Sequence, residues 1–303
     1  ASFSAALILL AGCESGGDGA TQQPEPVDPV CDSTSVLEGG ECLPFAERID
    51  ARATTPFTEN GEPVELEVVL FKPLEGERFP LLVVNHGSTG NGSAPSRFGE
   101  TFVHKPTTRH FVEQGWMVAY PQRRGRGRSD GLYDEGFTPN RSGYSCGAAI
   151  ALAGAERALD DIDAVTDWLR LRADVDTTRM LISGASRGGI LSIAYLARRP
   201  EVYLGGINFA GGWSSEGCGD FATINKTLFV DGAAFPGRSL WIYAENDSFY
   251  SLGHSQQNFD AFTQAGGVGD FEVFRRDPGL NGHFIINDAD RWGGIVDAYI
   301  TGL

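Results

Sequence analysis

TRMLISGASRGGILSIAYLARR, Thr178–Arg199, is the stretch on which the reading of this chain turns. Its first seven residues have the apolar, β-branched character of a buried strand, and Gly189–Arg199 has the pattern of a helix stopped by Pro200. Between them lies GASRG, Gly184–Gly188, a match to G-x-S-x-G. A serine on so sharp a strand-to-helix turn leaves no room for bulky neighbours, which accounts for a glycine two residues away on each side. The turn lifts the Ser186 hydroxyl above the sheet edge and aims the next backbone N–H, that of Arg187, at an oxyanion. Two other stretches match the same pattern, GRSDG at Gly127–Gly131 and GYSCG at Gly143–Gly147. With 40 glycines in 303 residues, a bare match is weak evidence, so context has to choose. Ser129 lies between two loops. Ser145 precedes a helix signal but follows no strand. Ser186 alone has both, and is the candidate nucleophile.

Strand and helix signals alternate outward from this point. Strands are expected at Glu65–Phe71, Pro80–Gly87, Trp116–Pro121, Leu204–Gly211, Ser239–Asn246 and Asp270–Arg276. Helices are expected at Thr107–Gly115, Ala155–Arg172, Ser255–Gly267 and from Asp288 to Tyr299. Such alternation implies an α/β fold, a mostly parallel central sheet with helices on both faces, with ligands bound where the strands end.

A serine needs a base and an orienting acid. Of the five histidines, His283 lies in a turn after the last expected strand, at the catalytic edge. His104 sits in a loop that follows no strand, His110 in a helix, and His254 leads into one. Asp247 lies just past the end of the strand at Ser239–Asn246, with Glu245 the second choice two residues deeper. The order Ser186, Asp247, His283 is that of the nucleophile-elbow hydrolases.

NHGSTG (85–90), YPQRRGRGRSDG (120–131), GASRGG (184–189), INFAGGW (207–213), YAEND (243–247) and NGHF (281–284) occur in the order in which the α/β-hydrolase family carries such motifs. From about Ala51 onward the chain resembles that family, and within it the dienelactone-hydrolase-like and prolyl-oligopeptidase-like branches. It departs from the prototype dienelactone hydrolases in having Ser186 where they use cysteine. The resemblance implies the α/β-hydrolase fold, no cofactor, and a second oxyanion donor in the loop after Pro80–Gly87, where the Ser88 backbone N–H is the candidate. His86 is then a structural residue of that loop.

The composition, 41% hydrophobic and 21% charged, is that of a globular protein. A net charge of −16 argues against nucleic acid as a partner. Five cysteines are present: Cys13, Cys31, Cys42, Cys146 and Cys218. The run Leu7–Leu10 followed by Ala11-Gly12-Cys13 has the shape of a secretory h-region and cleavage site and resembles a bacterial lipoprotein box. Residues 1–13 are therefore expected to be a truncated lipoprotein signal ending at Cys13, the lipid anchor to a membrane. Residues 14–50 are expected to be a flexible tether with a small Cys31/Cys42 loop, and residues 51–303 the catalytic domain. In an exported protein the four remaining cysteines favour two disulfides. Three pairings are open, of which Cys31–Cys42 and Cys146–Cys218 are preferred.

Trp213 either lines a substrate pocket or packs under its loop. Arg123, Arg124, Arg126 and Arg128 are expected to pair internally with carboxylates, and Asp160, Asp161 and Asp163 to form the solvated face of a helix. No metal-ligand spacing occurs. The function expected is an exported serine hydrolase acting on small-molecule or polymeric esters. The rivals are a serine peptidase, which shares the triad, and a non-catalytic surface lipoprotein on the same scaffold.

Overall fold

The computed structural model describes residues 30–38 and 41–303. Cys13, the apolar run before it and the tether to residue 29 lie outside the described residues. A hairpin of β1 (Ser35–Glu38) and β2 (Glu41–Pro44) comes first, with a Cys31–Cys42 disulfide beside it. There follow β3 (Glu47–Glu59), β4 (Glu62–Lys72), β5 (Phe79–Asn85), α1 (Lys105–Val112), β6 (Met117–Pro121), α2 (Ala148–Arg170), β7 (Val175–Ala185), α3 (Arg187–Leu196), β8 (Gly205–Phe209), α4 (Phe221–Asp231), β9 (Arg238–Ala244), α5 (Leu252–Gln264), β10 (Val268–Phe274) and α6 (Ala289–Thr301).

The eight strands from β3 onward form one sheet in the order β10-β9-β8-β7-β5-β6-β4-β3. The pairs from β6 to β10 are parallel, while β4 runs antiparallel to β6 and β3 antiparallel to β4. Central strands read as unbroken apolar runs because helices cover both of their faces: Leu81, Leu82, Met180, Leu181, Ile182, Ile207 and Ile242 are all fully buried. On the helical side, α1 packs with α6, and α2, α3, α4 and α5 pack in series. No helix among the described residues is long and apolar enough to cross a membrane.

The chain passes from β5 to β6 on one side and then to β7 on the other. This reversal makes the carboxyl ends of β5 and β7 a topological switch point, the place where open α/β sheets bind ligands. The register fixes what meets there. Asn85 pairs with Gly184 at the end of the β5–β7 ladder and Ala185 pairs with Phe209 of β8, so the loop at His86–Ser88 emerges beside the turn at Ser186.

Helix α2 departs from the sequence-based expectation in two ways. The helix expected from Ala155 begins at Ala148, seven residues earlier, with Gly154 inside it. A Cβ on Gly154 would stand 2.0 Å from the Gly136 nitrogen, so this glycine serves a close crossing of backbones and is not a terminator. The helix face also differs. Asp161 is 2% exposed, not solvated, and its carboxylate pairs with Arg124 at 2.5 Å. Burial pushes the Asp161 carboxyl up to about 6 against the pull of Arg124.

Candidate active site

Ser186 joins β7 to α3 with φ 56° and ψ −123°, a conformation that costs a non-glycine residue of order 1–3 kcal/mol and persists only where the surroundings enforce it. The surroundings here are backbone. A Cβ on Gly188 would meet the Asn85 carbonyl oxygen at 2.0 Å, and one on Gly184 would meet the Gly188 carbonyl carbon and oxygen at 2.4 Å. The two flanking glycines therefore let α3 start directly over the end of β5. The Ser186 amide donates to the Phe209 carbonyl at 3.0 Å, and the Gly212 amide donates to the Ser186 carbonyl at 3.1 Å, which ties the turn to the loop after β8.

The other two serines are engaged structurally. The Ser129 hydroxyl donates to the Gln122 carbonyl at 2.6 Å and accepts from the Glu67 amide at 2.8 Å, holding its loop to β4. The Ser145 oxygen accepts from the Gly147 amide at the entrance to α2.

His283 lies in a 3₁₀ segment, Gly282–Asn287, that comes within bonding distance of the end of β9. A Cβ on Gly282 would fall 2.3 Å from the Glu245 carbonyl oxygen, so only glycine admits this approach. The imidazole Nδ1 lies 3.0 Å from Asp247 Oδ2. Asp247 is buried, and its other oxygen accepts from the Phe249 and Tyr250 amides at 2.7 and 3.0 Å. The ring is bordered by Phe249, Tyr250 and Phe284, with centroids at 4.5, 5.5 and 5.5 Å. The Tyr250 hydroxyl in turn donates to the Gly212 carbonyl, and the Gly212 amide holds the Ser186 carbonyl, so the residue beside the base is tied to the serine turn. Glu245, the alternative acid, pairs instead with Arg275 at the surface.

The remaining histidines are occupied elsewhere. His104 caps α1 and meets Asn287, His110 pairs with Asp297 of α6, and His254 meets Asn225 and Asn258. His86 is fully buried, with Nδ1 2.8 Å from the Gly87 carbonyl and the Arg123 amide donating to Nε2. Burial, reinforced by Arg123, pushes its pKa far down, so it stays neutral and structural.

The Ser88 and Arg187 amides donate to no protein acceptor among the described residues. A Cβ on Gly87 would be 3.2 Å from Ser186 Cβ, so the loop carrying the Ser88 amide passes close over the serine. That loop is held by Thr89, which meets the Tyr144 hydroxyl through both its amide and its own hydroxyl.

A second feature was not foreseen from the sequence: the Arg187 side chain is buried beneath the turn. Its guanidinium sits 3.6 Å from the Tyr144 ring centroid and 4.2 Å from that of Trp213. It donates to the Trp213 and Glu135 carbonyls, each at 3.0 Å, and lies 3.5 Å from the Glu135 carboxylate. Trp213, 2% exposed, thus packs against Arg187 under its loop. The Cys146–Cys218 disulfide links the segment that carries Tyr144 to the segment that carries Trp213.

Three of the four loop arginines pair as the acid-rich composition implied. Arg123 meets Glu135 at 2.5 Å, Arg124 meets Asp161, and Arg128 meets Glu67 at 2.7 Å. Arg126 differs: its cation lies over the Tyr133 ring at 5.4 Å and reaches only the Glu100 carbonyl. Burial pushes the Glu135 carboxyl up, but Arg123 and Arg187 outweigh it and hold the group below its ordinary value.

Residues 60–218, just over half of the chain, match the family model of the X-Pro dipeptidyl-peptidases, family S15. Among solved structures, an acylaminoacyl peptidase from Pyrococcus horikoshii superposes with a TM-score of 0.60 at 18% identity, over 85% of this chain and 42% of its own. An esterase from Pyrococcus furiosus gives 0.58 at 15%, over 84% and 90%. A dienelactone-hydrolase-like protein from Klebsiella pneumoniae gives 0.54 at 18%, over 85% and 100%. No curated protein matches the chain significantly. At these identities the superpositions establish the fold, and the family match goes further: this chain has the α/β-hydrolase fold and belongs to the S15 family of hydrolases.

Proposed function

We propose that the protein is an exported serine hydrolase that cleaves carboxylic esters. The observation that carries the reading is the hydrogen bond from His283 Nδ1 to buried Asp247, on a loop that borders the strained turn of Ser186. In this reading Ser186 Oγ attacks the ester carbonyl while His283 Nε2 takes its proton. The Ser88 and Arg187 amides hold the oxyanion, and the imidazolium returns the proton to the leaving alcohol. Water then repeats the sequence on the acyl-enzyme. Asp247 fixes the tautomer that leaves Nε2 free as the base and stabilises the imidazolium. Export is supported by the two disulfides, which persist in oxidising compartments, and by the lipoprotein-like LAGC at Leu10–Cys13. Trp213 acts in this reading through Arg187.

A second reading, a peptidase, is favoured by the family match to X-Pro dipeptidyl-peptidases. A panel of p-nitrophenyl acyl esters and aminoacyl p-nitroanilides, X-Pro anilides included, separates the two. Ester turnover well above that of any anilide is expected, and the reverse order overturns the ester assignment. Phe249 and Phe284, 40% and 47% exposed, border the base and offer apolar area to the acyl group or alcohol. Covering part of one phenyl ring is worth on the order of 1 kcal/mol. Phe249→Ala is therefore expected to raise KM about fivefold for aryl and longer acyl esters and to leave acetate esters nearly unchanged. An equal change for both would remove Phe249 from the substrate site.

A further inference from the structure

Tyr250 touches each of the three elements assembled at the site. Its amide donates to Asp247 Oδ1 at 3.0 Å. Its ring borders the His283 imidazole at 5.5 Å. Its hydroxyl donates to the Gly212 carbonyl at 2.7 Å, and the Gly212 amide holds the Ser186 carbonyl at 3.1 Å. The space for the phenol is made by the missing side chain of Gly212, where a Cβ would stand 2.4 Å from the Tyr250 ring. Acid loop and nucleophile turn come from strands β9 and β7, with β8 between them, so the sheet registers the strand ends only through β8 and the two loops share no ladder of their own. The chain Asp247–Tyr250–Gly212–Ser186 does so through side chain and backbone in series.

We propose that Tyr250 is a positioning residue that registers the Asp247–His283 pair on the Ser186 turn. This deepens the serine hydrolase reading and rests on it. A tyrosine hydroxyl has one proton, and here it is committed to Gly212. The phenol therefore cannot donate to an oxyanion without releasing Gly212. Burial raises the phenol pKa, so this proton is retained throughout the working range. The residue thus acts on geometry and not as an acid or base.

Tyr250→Phe keeps the ring and the amide and removes only the hydroxyl. Displacing reacting groups by about 1 Å costs about 100-fold in rate. Measured per site titrated with a fluorophosphonate probe, kcat of Tyr250→Phe is expected to fall about 10- to 100-fold. KM should stay within twofold and the far-ultraviolet circular dichroism unchanged. The rate of probe labelling is expected to fall in parallel, since it needs the same serine–imidazole geometry without the substrate. A purely structural tyrosine would lower the melting temperature and leave kcat per titrated site at the wild-type value, and that result overturns the inference. Ser186→Ala run alongside separates the two levels. Loss of labelling in Ser186→Ala with wild-type kcat in Tyr250→Phe removes only the role of Tyr250. A wild-type protein that takes no label, or a Ser186→Ala variant that keeps turnover, removes the hydrolase reading together with it.

Discussion

Ser186→Ala is expected to lower kcat for p-nitrophenyl esters by about 10⁵–10⁶, the cost typical of removing the nucleophile from a serine triad. It is expected to abolish labelling by a fluorophosphonate, while Ser129→Ala and Ser145→Ala should keep both. The three serines sit in the same five-residue pattern, yet their surroundings separate them. Ser129 gives its proton to the Gln122 carbonyl and Ser145 accepts from its own helix entrance, so both are engaged in holding their loops. Ser186 occupies the left-handed φ that the turn demands, with unengaged amides at Ser88 and Arg187. Ser129→Ala removes a hydrogen bond that holds β4, so a loss of about 1 kcal/mol in stability is expected from it without a loss in kcat. Turnover is therefore to be scored per folded molecule. A Ser186→Ala protein with more than about 1% of wild-type kcat would show that the elbow is not the reacting centre.

Glu135→Gln carries the second large effect, on stability. Glu135 lies between Arg123 and Arg187, all three side chains 5% exposed or less. Its Oε1 takes the Arg123 Nε, and Oε2 accepts from the Tyr133 hydroxyl at 3.1 Å. Glutamine preserves volume and removes the only negative charge between two buried cations. Breaking one partner of a buried ion pair costs about 3–5 kcal/mol, because the desolvation already incurred is no longer offset. A urea midpoint shift of that size is expected, with an unchanged slope. A loss below about 1 kcal/mol would show that Arg123 and Arg187 are held by their other contacts, the His86 and Trp213 carbonyls and the Tyr144 ring.

The pH dependence has a definite sign. The folded-state pKa of Glu135 is depressed, so its contribution is full above the unfolded carboxylate value and is lost as pH falls through the lower folded value. The acid limb of the stability profile should therefore flatten in Glu135→Gln. Arg187 also carries one of the two amides proposed to hold the oxyanion. Loosening its guanidinium should accordingly slow turnover more than it raises KM.

The central α/β repeat was legible because burial on both faces leaves unbroken apolar runs, such as Leu81–Val84 and Met180–Ile182, and because glycines mark the turns between them. The same physics singled out Ser186, Asp247 and His283 as candidates, since each lies in a connection that follows a strand. What escaped has a different origin. β3 is an edge strand with charged residues on its open side and an irregular register between Thr54 and Thr58, around Pro56, so no apolar run announces it. α4 has only Ile224, Asn225, Leu228 and Phe229 buried, too short a pattern to stand out. Asp161 reads as surface because it sits between Asp160 and Asp163 in a helix. Only the fold brings Arg124 onto it, by a contact 37 positions away in sequence. The buried Arg187 cation could not be read for the same reason: Glu135 and Tyr144 from the long β6–α2 connection and Trp213 from the loop after β8 converge on it.

The Cys146–Cys218 bond encloses α2, β7, α3 and β8, and with them Ser186, in one covalent ring, while Asp247 and His283 lie outside it. A protease that cuts once inside that ring opens the chain without releasing either fragment. Such a nick turns a linear polypeptide into two stapled pieces, whose core strands still pair. A molecule built this way can be clipped there and still keep Ser186 attached to the rest of the chain.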